Sequence, residues 1–581
     1  DCCVVRDVNY YKLTGNQLKA LLLYCEQDST TTATGHRFLA AQAILGRKLI
    51  CTELHDVMAK VAELSINSHL DHVRLQARQI IHQFLTTYQL GKKFGKHLNF
   101  YITNLDYNFQ PGRESALELI HSLITTVPKE VLKKHYGVIF VPVTACLVND
   151  DSPECRQKAA QVVTSLLDNL HHNAVDKLFD IVTLWMQEKQ IGHRRLSVQV
   201  CGLFISFEKE RFEKRLPALM ETILDQFSGS FRDDSVGKYV RRKPACDVTD
   251  GAENEADDVS NMADHHLYQL LNMLVKIASF CPKFLKDPAY TQYVETISEN
   301  AQKLLSHPHE WVRLAAAQFL SRVIAQLQPA EIAAIANGER EETAGYLRNS
   351  TRAQLKAFAL DHCNQLIPGV ELHDKFLMQC MKNLVFVGEV LKDVVNVEDE
   401  QLLSLSWLIR VMRKSIHVEI AKMPSSTVVR KMVFHWIAAI ALKLDKEALQ
   451  PILNHMLAPL VRELNVADDG GGSGGGSGGG NGGVDLRQIA KEAAVYVRRK
   501  IGAEDYNRLV ANLTTRLDVR RAERKKERAQ LAVTEPELAA KKKILKQQKK
   551  KEQKKRKIAS FKGKKGIIKR RKKSVGDVEI T

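Results

Sequence analysis

The chain has 581 residues, too many for one hydrophobic core, so several domains or a repeat array are expected. It is 44% hydrophobic, enough to fold, and no run of about 18 apolar residues marks a bilayer-spanning helix. The net charge of +18 sits at one end: residues 484–581 hold 32 Lys and Arg against 12 Asp and Glu, which leaves residues 1–483 at −2. That excludes a protein basic over its whole surface and points the basic end at a polyanion.

Along the chain, one pattern recurs: an Arg, two residues, then a small or apolar residue on an apolar-periodic helix. It occurs at Arg37 (HRFLAAQAIL), Arg74 (DHVRLQARQII), Arg113 (PGRESALELI), Arg156 (SPECRQKAAQVV) and Arg195 (HRRLSVQVCGLF). It returns at Arg313 (EWVRLAAAQFL), Arg352 (NSTRAQLKAFAL) and Arg430 (TVVRKMVFHWI). Successive spacings are 37, 39, 43, 39, 118, 39 and 78, and the two long steps divide by 39. The period is near that of HEAT and armadillo units. NDDSPE before Arg156 and LSHPHE before Arg313 read as turns that start helices, with a cap and an acid at the positive end of the dipole. Ala159, Val162, Val163, Leu166 and Leu167 in one unit, and Ala316, Phe319, Leu320 and Val323 in the other, have helical spacing. One helix pair cannot bury its apolar face, so pairs must stack. The fold class is therefore all-α, a HEAT/armadillo-like α-solenoid, with helical repeats expected over 1–240 and 262–469.

Between those arrays, RRKPACDVTDGAENEADDVSN (241–261) has no apolar periodicity and is expected to be an acidic, disordered insertion loop. Its acids Asp250, Glu253, Glu255, Asp257 and Asp258 either face solvent or meet a basic partner. Helices are expected to resume at HHLYQLLNMLVKIASF.

GGGSGGGSGGGNGG (470–483) reads as a flexible linker with a root-mean-square span of about 20 Å. Residues 484–533 follow as amphipathic helices, with Leu486, Ile489, Ala493, Val497 and Ile501 on the first apolar face and Leu509, Leu513 and Leu517 on the second. Charge takes over at VRRAERKKERAQ. In TEPELAAKKKILKQ, Thr534 is placed to cap, Pro536 lies in the first turn and Glu537 stands three residues on. The polybasic tail 534–581 is thus expected to begin as helix and end as coil.

Candidate chemistry is scarce. No phosphate-binding glycine loop and no H-E-x-x-H occurs, and the G-x-S-x-G at Ser473 lies in the glycine run, where no rigid elbow can form. His171 and His172, His265 and His266, and His307 and His309 lack a third ligand, so they read as surface or capping residues and no metal is expected. Trp185, Trp311, Trp407 and Trp436 read as packing residues. Eleven Cys (2, 3, 25, 51, 146, 155, 201, 246, 281, 363, 380) without any C-x-x-C read as buried thiols of a reducing compartment. No cofactor, small-molecule substrate or enzymatic activity is expected.

Nucleic-acid modules with an aromatic platform are also missing, so the tail is the strong binding signal. Its candidate phosphate-binding residues are Lys541, Lys542, Lys543, Lys546, Lys549, Lys550, Lys551, Lys554, Lys555, Arg556, Lys557, Lys562, Lys564, Lys565, Lys569, Arg570, Arg571, Lys572 and Lys573. Phe561 is the lone candidate for stacking. The same run can serve as a nuclear or nucleolar targeting signal, and the two roles are compatible. Ile544, Leu545, Ile558, Ile567 and Ile568 make no apolar face for a membrane. Ser560 and Ser574 stand among Lys and Arg, where a phosphate would remove charge.

NFQPGRESALELIHSLI, LVNDDSPECRQKAAQVV, CGLFISFEKERFEKRLP, HPHEWVRLAAAQFLSRVI and TEPELAAKKKILKQQKKKEQKKRKI resemble the small-subunit processome component 20 family, very large HEAT-repeat proteins of the nucleolus. The resemblance spans both flanks of the glycine run, which implies a low-complexity expansion rather than a joint between two proteins. It also matches a chain that begins at Asp1 and is expected to be a C-terminal piece. It implies a non-enzymatic scaffold in a snoRNA-containing preribosomal particle, with pre-rRNA and other processome proteins as partners and no membrane. It implies processing toward 18S rRNA and small-subunit assembly, and it supplies no catalytic residue. The alternative from the fold alone is a transport or adaptor solenoid that carries protein cargo and uses the tail only for targeting.

Overall fold

The computed structural model describes residues 54–232, 255–338, 352–366, 374–394, 403–423, 426–465 and 482–538, with single residues and short stretches at 14, 16–17, 20, 42, 44–48, 346, 540–541, 543–545, 547–548 and 551. Among the described residues there is no strand. The helices are α1 (Leu54–Asn67), α2 (Asp71–Thr87), α3 (Lys92–Thr103), α4 (Gln110–Thr126), α5 (Lys129–Asn149), α6 (Pro153–Asn169), α7 (His172–Gln187) and α8 (Ile191–Glu208). Next come α9 (Leu216–Arg232), α10 (Glu255–Phe280), α11 (Pro282–Lys286), α12 (Thr291–Lys303), α13 (Glu310–Ile324), α14 (Pro329–Ala336), α15 (Arg352–Cys363) and α16 (Asp374–Leu391). The last are α17 (Leu405–Lys422), α18 (Val428–Lys443), α19 (Lys446–Leu449), α20 (Leu453–Leu464), α21 (Gly482–Ile501) and α22 (Ala503–Thr534).

The chain forms two compact units, Asp1–Trp436 and Ile437–Thr581, with the boundary inside α18. In the first unit, α2, α4, α6, α8, α10, α13 and α16 pack each on the next in one layer, and α3, α5, α7, α9 and α12 line the other. This is an all-α solenoid of the HEAT-like kind. The expected apolar faces are the buried ones. Helix α6 buries Ala159, Val162, Val163, Leu166 and Leu167, and α13 buries Ala316, Phe319, Leu320 and Val323. Helix α5 is long and apolar enough to cross a membrane by length and composition, a property the search for an unbroken apolar run missed. It packs on α6 and α8 and buries Ile139, Phe140 and Val143 there, as a repeat helix does.

The repeat arginines have a shared structural job. Arg74 Nη1 donates to the Ser68 carbonyl at 2.6 Å, Arg113 to Tyr107 at 3.0 Å, Arg156 to Asp150 at 2.5 Å and Arg313 to His307 at 2.7 Å. In each case the acceptor lies six residues back, in the turn that precedes the helix. The turn's carbonyls point away from any helical partner, and the guanidinium satisfies them. Arg113 also grips the next repeat: its Nε and Nη2 reach Asp150 Oδ2 and Oδ1 at 2.8 and 2.9 Å. Burial works to raise the Asp150 pKa, but Arg113 and the Ser152 N–H at 2.8 Å outweigh it and hold the carboxyl below its usual range. Beside this link, Arg78, Glu118, Lys158 and Glu114 connect α2, α4 and α6 through successive ion pairs.

The register of the pattern then breaks. Arg352 starts α15, which packs on α16 and α17 outside the layer formed by the earlier anchored helices, and its Nη2 reaches Asn337 Oδ1 at 3.3 Å. Arg430 reaches the Ser426 carbonyl at 2.6 Å and Glu419 at 3.2 Å. Glu419 is fully buried in α17 and accepts from the Ser426 hydroxyl and the Val429 N–H at 2.8 and 3.0 Å, so a carboxylate caps α18. Arg37 lies outside the described residues.

Three further expectations change. Helix α10 begins at Glu255, so the end of the 241–261 loop is helical. Helix α21 begins at Gly482, inside the expected linker 470–483. His266 and His307 are buried rather than surface residues: His266 Nε2 meets Gln226 Oε1 at 3.1 Å, and His307 Nε2 meets Asp264 at 3.2 Å. The described cysteines (146, 155, 201, 281, 363, 380) are free and buried, and burial pushes the thiols of Cys201, Cys281 and Cys363 up to about 12. Trp407 and Trp436 are buried, and Trp185 stacks on Phe140.

The Arg113–Asp150 link predicts that Asp150→Ala costs about 3–5 kcal/mol, because it strands a buried guanidinium. Asp71→Ala should cost under about 1 kcal/mol, because Asp71 is 91% exposed beside Arg74. Urea denaturation read by circular dichroism measures both. A second expectation concerns pH. Burial lowers His266 and His362 to about 4, against an ordinary value of 6.5. The unfolded chain then binds protons below pH 6.5 that the folded chain does not, so stability is full above that pH and falls toward pH 4. The urea midpoint should decline through this window, less steeply in the double variant His266→Gln, His362→Gln.

Candidate nucleic-acid interface

The basic end is built on the second unit. Helix α21 buries Leu486, Ile489, Ala493, Val497 and Ile501, the face its spacing predicts, and packs on α20 and α22. Arg487 Nη2 donates to the Leu464 carbonyl at 3.2 Å, closing α21 onto the end of α20. Contacts thus group the helices before and after the glycine run, where the sequence divides them at 470–483. Gly502 separates α21 from α22 at φ +95°, a conformation that L residues rarely adopt.

Helix α22 is rooted at its start and free beyond. Asp505 accepts from Lys446 Nζ at 2.8 Å and from Arg508 at 2.7 Å, and Lys446 and then Arg508 hold its carboxyl below the usual range. Of the expected face Leu509, Leu513 and Leu517, Leu513 is buried and the other two are half-buried. From Asp518 to Thr534, every residue except the half-buried Leu531 is exposed. This free part carries Arg520, Arg521, Arg524, Lys525, Lys526 and Arg528 against Asp518, Glu523 and Glu527. Arg521 pairs with Asp518 at 3.4 Å, while Arg524, Lys525, Lys526 and Arg528 make no ion pair with any described residue. The segment stays helical without a buried face because Ala, Arg, Lys, Gln, Glu and Leu are strong helix formers and the rooted turns supply the nucleus. Such an element offers a row of exposed cations with no ion-pair partner among the described residues.

The helix stops at Glu535, with φ −136° and ψ 69°, because Pro536 disfavours the helical conformation in the residue before it. Thr534 is the last residue of α22, and its hydroxyl donates back to the Gln530 carbonyl at 3.0 Å instead of capping forward. Helical residues resume at Pro536, which agrees with a helical start to the tail. Of the candidate phosphate-binding residues, Lys541, Lys543 and Lys551 are helical and exposed, as are Ile544 and Leu545. The others, together with Phe561, Ser560 and Ser574, lie outside the described residues. The cations of α22 were missing from the sequence-based set. Their signal was the charge run after Leu517, which reads as an ordinary solvated helix until its lack of partners is seen.

Among the described residues no group of His, Cys, Asp and Glu is placed to hold a metal. Clefts among the described residues include one of about 470 Å³ beside Arg113 and Asp150, and one of about 360 Å³ beside Arg194, Glu221 and Asp225.

Two U3 small nucleolar RNA-associated proteins 20 align over 87% of the chain: one from Schizosaccharomyces pombe at 24% identity, one from Saccharomyces cerevisiae at 22%. The aligned segments are 18% and 19% of those two proteins, so the chain spans less than a fifth of either. Among solved structures, Kap121p bound to Pho4p superposes with a TM-score of 0.45 at 12% identity, covering 88% of this chain and 49% of that one. Residues 193–560, well over half of the chain, match the family described as small subunit processome component 20 homolog, C-terminal, and the chain belongs to that family.

Proposed function

We propose that this chain is the C-terminal part of a non-enzymatic scaffold of the small-subunit processome. In this reading the helical body docks on other proteins of a snoRNA-containing preribosomal particle in the nucleolus, and the basic end contacts phosphates of pre-rRNA. The particle's work is processing toward 18S rRNA and assembly of the small ribosomal subunit. Family membership and the names of the two fungal relatives support the particle. The single observation that supports the RNA contact is the exposed, unneutralised cationic helix that ends a body of net charge −2. Lys and Arg without interleaved aromatics make phosphate contacts, which position RNA without reading its sequence. Extended, residues 541–573 reach about 110 Å at about 3.3 Å per residue, far enough to meet RNA well away from the folded units.

Purified chain should bind structured RNA with affinity that drops about 10³–10⁵ between about 50 and 200 mM salt, given six to ten phosphate contacts. Deleting residues 541–573 should remove most of that affinity; equal affinity after the deletion would refute the tail's role. Changing Arg524, Lys525, Lys526 and Arg528 to Gln should lower the salt slope by about 3–4 with helix content unchanged. Filter binding over a salt series, with circular dichroism alongside, reads both.

A further inference from the structure

Helix α5 carries more apolar surface than its packing uses. Its most apolar stretch has the hydropathy of a membrane-crossing helix, yet only 39% of that stretch is buried. Ile139, Phe140, Val143 and Leu147 are its buried side, against the neighbouring repeat helices. On the opposite side, Lys134, Val138, Val141, Ala145 and Val148 recur every three or four residues, which puts them on one helical face. Val138 is 47% exposed and Val141 is 44% exposed, while Ala145 and Val148 are half-buried.

Helix α7 continues this face. It is the helix that corresponds to α5 in the next repeat, so the two run the same way, and the near-parallel rings of Phe140 and Trp185, 6.2 Å apart, set them level. Leu184, beside that contact, is 64% exposed, and Ile181, one turn earlier, is half-buried. Single exposed apolar residues are ordinary, but Val138, Val141, Ile181 and Leu184 gather on two neighbouring helices. Toward the N-terminal ends of both helices the surface turns basic. Lys133 and Lys134 lie about 9 Å along α5 from Phe140, and Lys177 lies about 12 Å along α7 from Trp185, at about 1.5 Å per residue. All three lysines are exposed and pair with no described residue. Helix α3 adds the exposed Lys92, Lys93 and Lys96, where its Phe94 meets His135 of α5 at 5.3 Å. Glu130 and Asp180 are exposed acids of the same turns, and Asp176 is answered by Arg215 at 2.6 Å.

We propose that this face of α5 and α7 docks an amphipathic helix of another protein, with the partner's apolar stripe on Val138, Val141 and Leu184 and its acidic residues at the end that lies over Lys133, Lys134 and Lys177. The inference rests on the protein-docking part of the reading above and gives that contact a place and a chemistry. An apolar centre with a charged margin is the anatomy of a protein interface. RNA would answer the lysines but set its charged backbone against the valines and Leu184, which gain only from apolar cover. Two adjacent parallel helices leave a groove whose ridges admit a third helix. An extended segment has no strand edge to join among the described residues.

The test places the photoreactive amino acid p-benzoylphenylalanine at Val141 or Leu184 of the full-length protein in cells, with crosslinked peptides sequenced by mass spectrometry. The same amino acid at Leu75 of α2, which is 46% exposed, gives a reference on a helix of the other layer. Crosslinks from Val141 and Leu184 are expected on protein segments whose apolar residues recur at helical spacing and whose Asp and Glu gather at one end. The double variant Lys133→Glu, Lys134→Glu should lower those yields about fivefold, the combined effect of two exposed ion pairs, with the Leu75 yield unchanged. Yields that the variant leaves unmoved would overturn the acidic end of the partner. Crosslinks from Val141 and Leu184 to RNA, to lipid or to basic segments would overturn the assignment. Protein crosslinks from Leu75 with none from Val141 or Leu184 would overturn the site and leave protein docking by the body standing, whereas no protein crosslink from any of the three would overturn both. Every substituted position is exposed, so the repeat core is left intact.

Discussion

The solenoid depends on one recurrent bond, from an arginine in the first turn of a layer helix to the carbonyl six residues before it. A turn between stacked helices must bend sharply, and its carbonyls lose their helical partners as it does so. At Ser68, Tyr107, Asp150 and His307 a guanidinium supplies the missing donor and fixes the angle at which the next helix enters. Where Arg113 also holds Asp150 in a two-point grip, the turn of one repeat is tied to the helix of the previous one. Cohesion between repeats thus comes from directional bonds at the layer edge as well as from the apolar faces of α4, α6, α8, α10 and α13.

That arrangement bears on function through charge. Many of the body's arginines are used internally, paired with carbonyls or with acids such as Asp150, Glu208 and Glu419. Acidic and basic residues nearly balance over residues 1–483, so the cations of α22 and the tail stand out as a separate feature. In the proposed reading, a neutral array would give protein partners a large surface without attracting RNA everywhere, and phosphate contacts would be confined to the basic end. In α8 the anchor position, four residues after the cap Gln190, holds Arg194, one residue before the Arg195 that the sequence spacing picks.

Much of the fold was legible in the sequence because both of its causes are local. The arginine spacing near 39 marks the repeat, and the apolar spacing in α6, α13 and α21 marks the buried face. The misreadings fall where distant residues decide. Arg352 has the pattern of an anchor but starts a helix outside the anchored layer, because α16 takes the place next to α13. Thr534 has the sequence of a cap, yet α22 is already helical when it reaches Thr534, and the hydroxyl turns back to Gln530. His266 and His307 look like surface residues until Gln226 and Asp264 arrive from other helices to satisfy them. The stacking of the His265 and Trp311 rings, 4.8 Å apart, was illegible for the same reason: the two are far apart in sequence and meet because α10 and α13 are neighbours. Of the candidate interface, the sign and location of the charge were legible, whereas the partnerless state of Arg524, Lys525, Lys526 and Arg528 required the structure.

The central claim is that a neutral helical scaffold delivers a basic end to precursor ribosomal RNA. The most direct measurement is ultraviolet crosslinking of this protein to RNA in living cells, with the bound RNA sequenced. The account predicts that most reads fall on pre-rRNA and snoRNA, and that they collapse when residues 541–573 are removed. Reads spread over unrelated transcripts, or a pre-rRNA signal that persists without that segment, would contradict it.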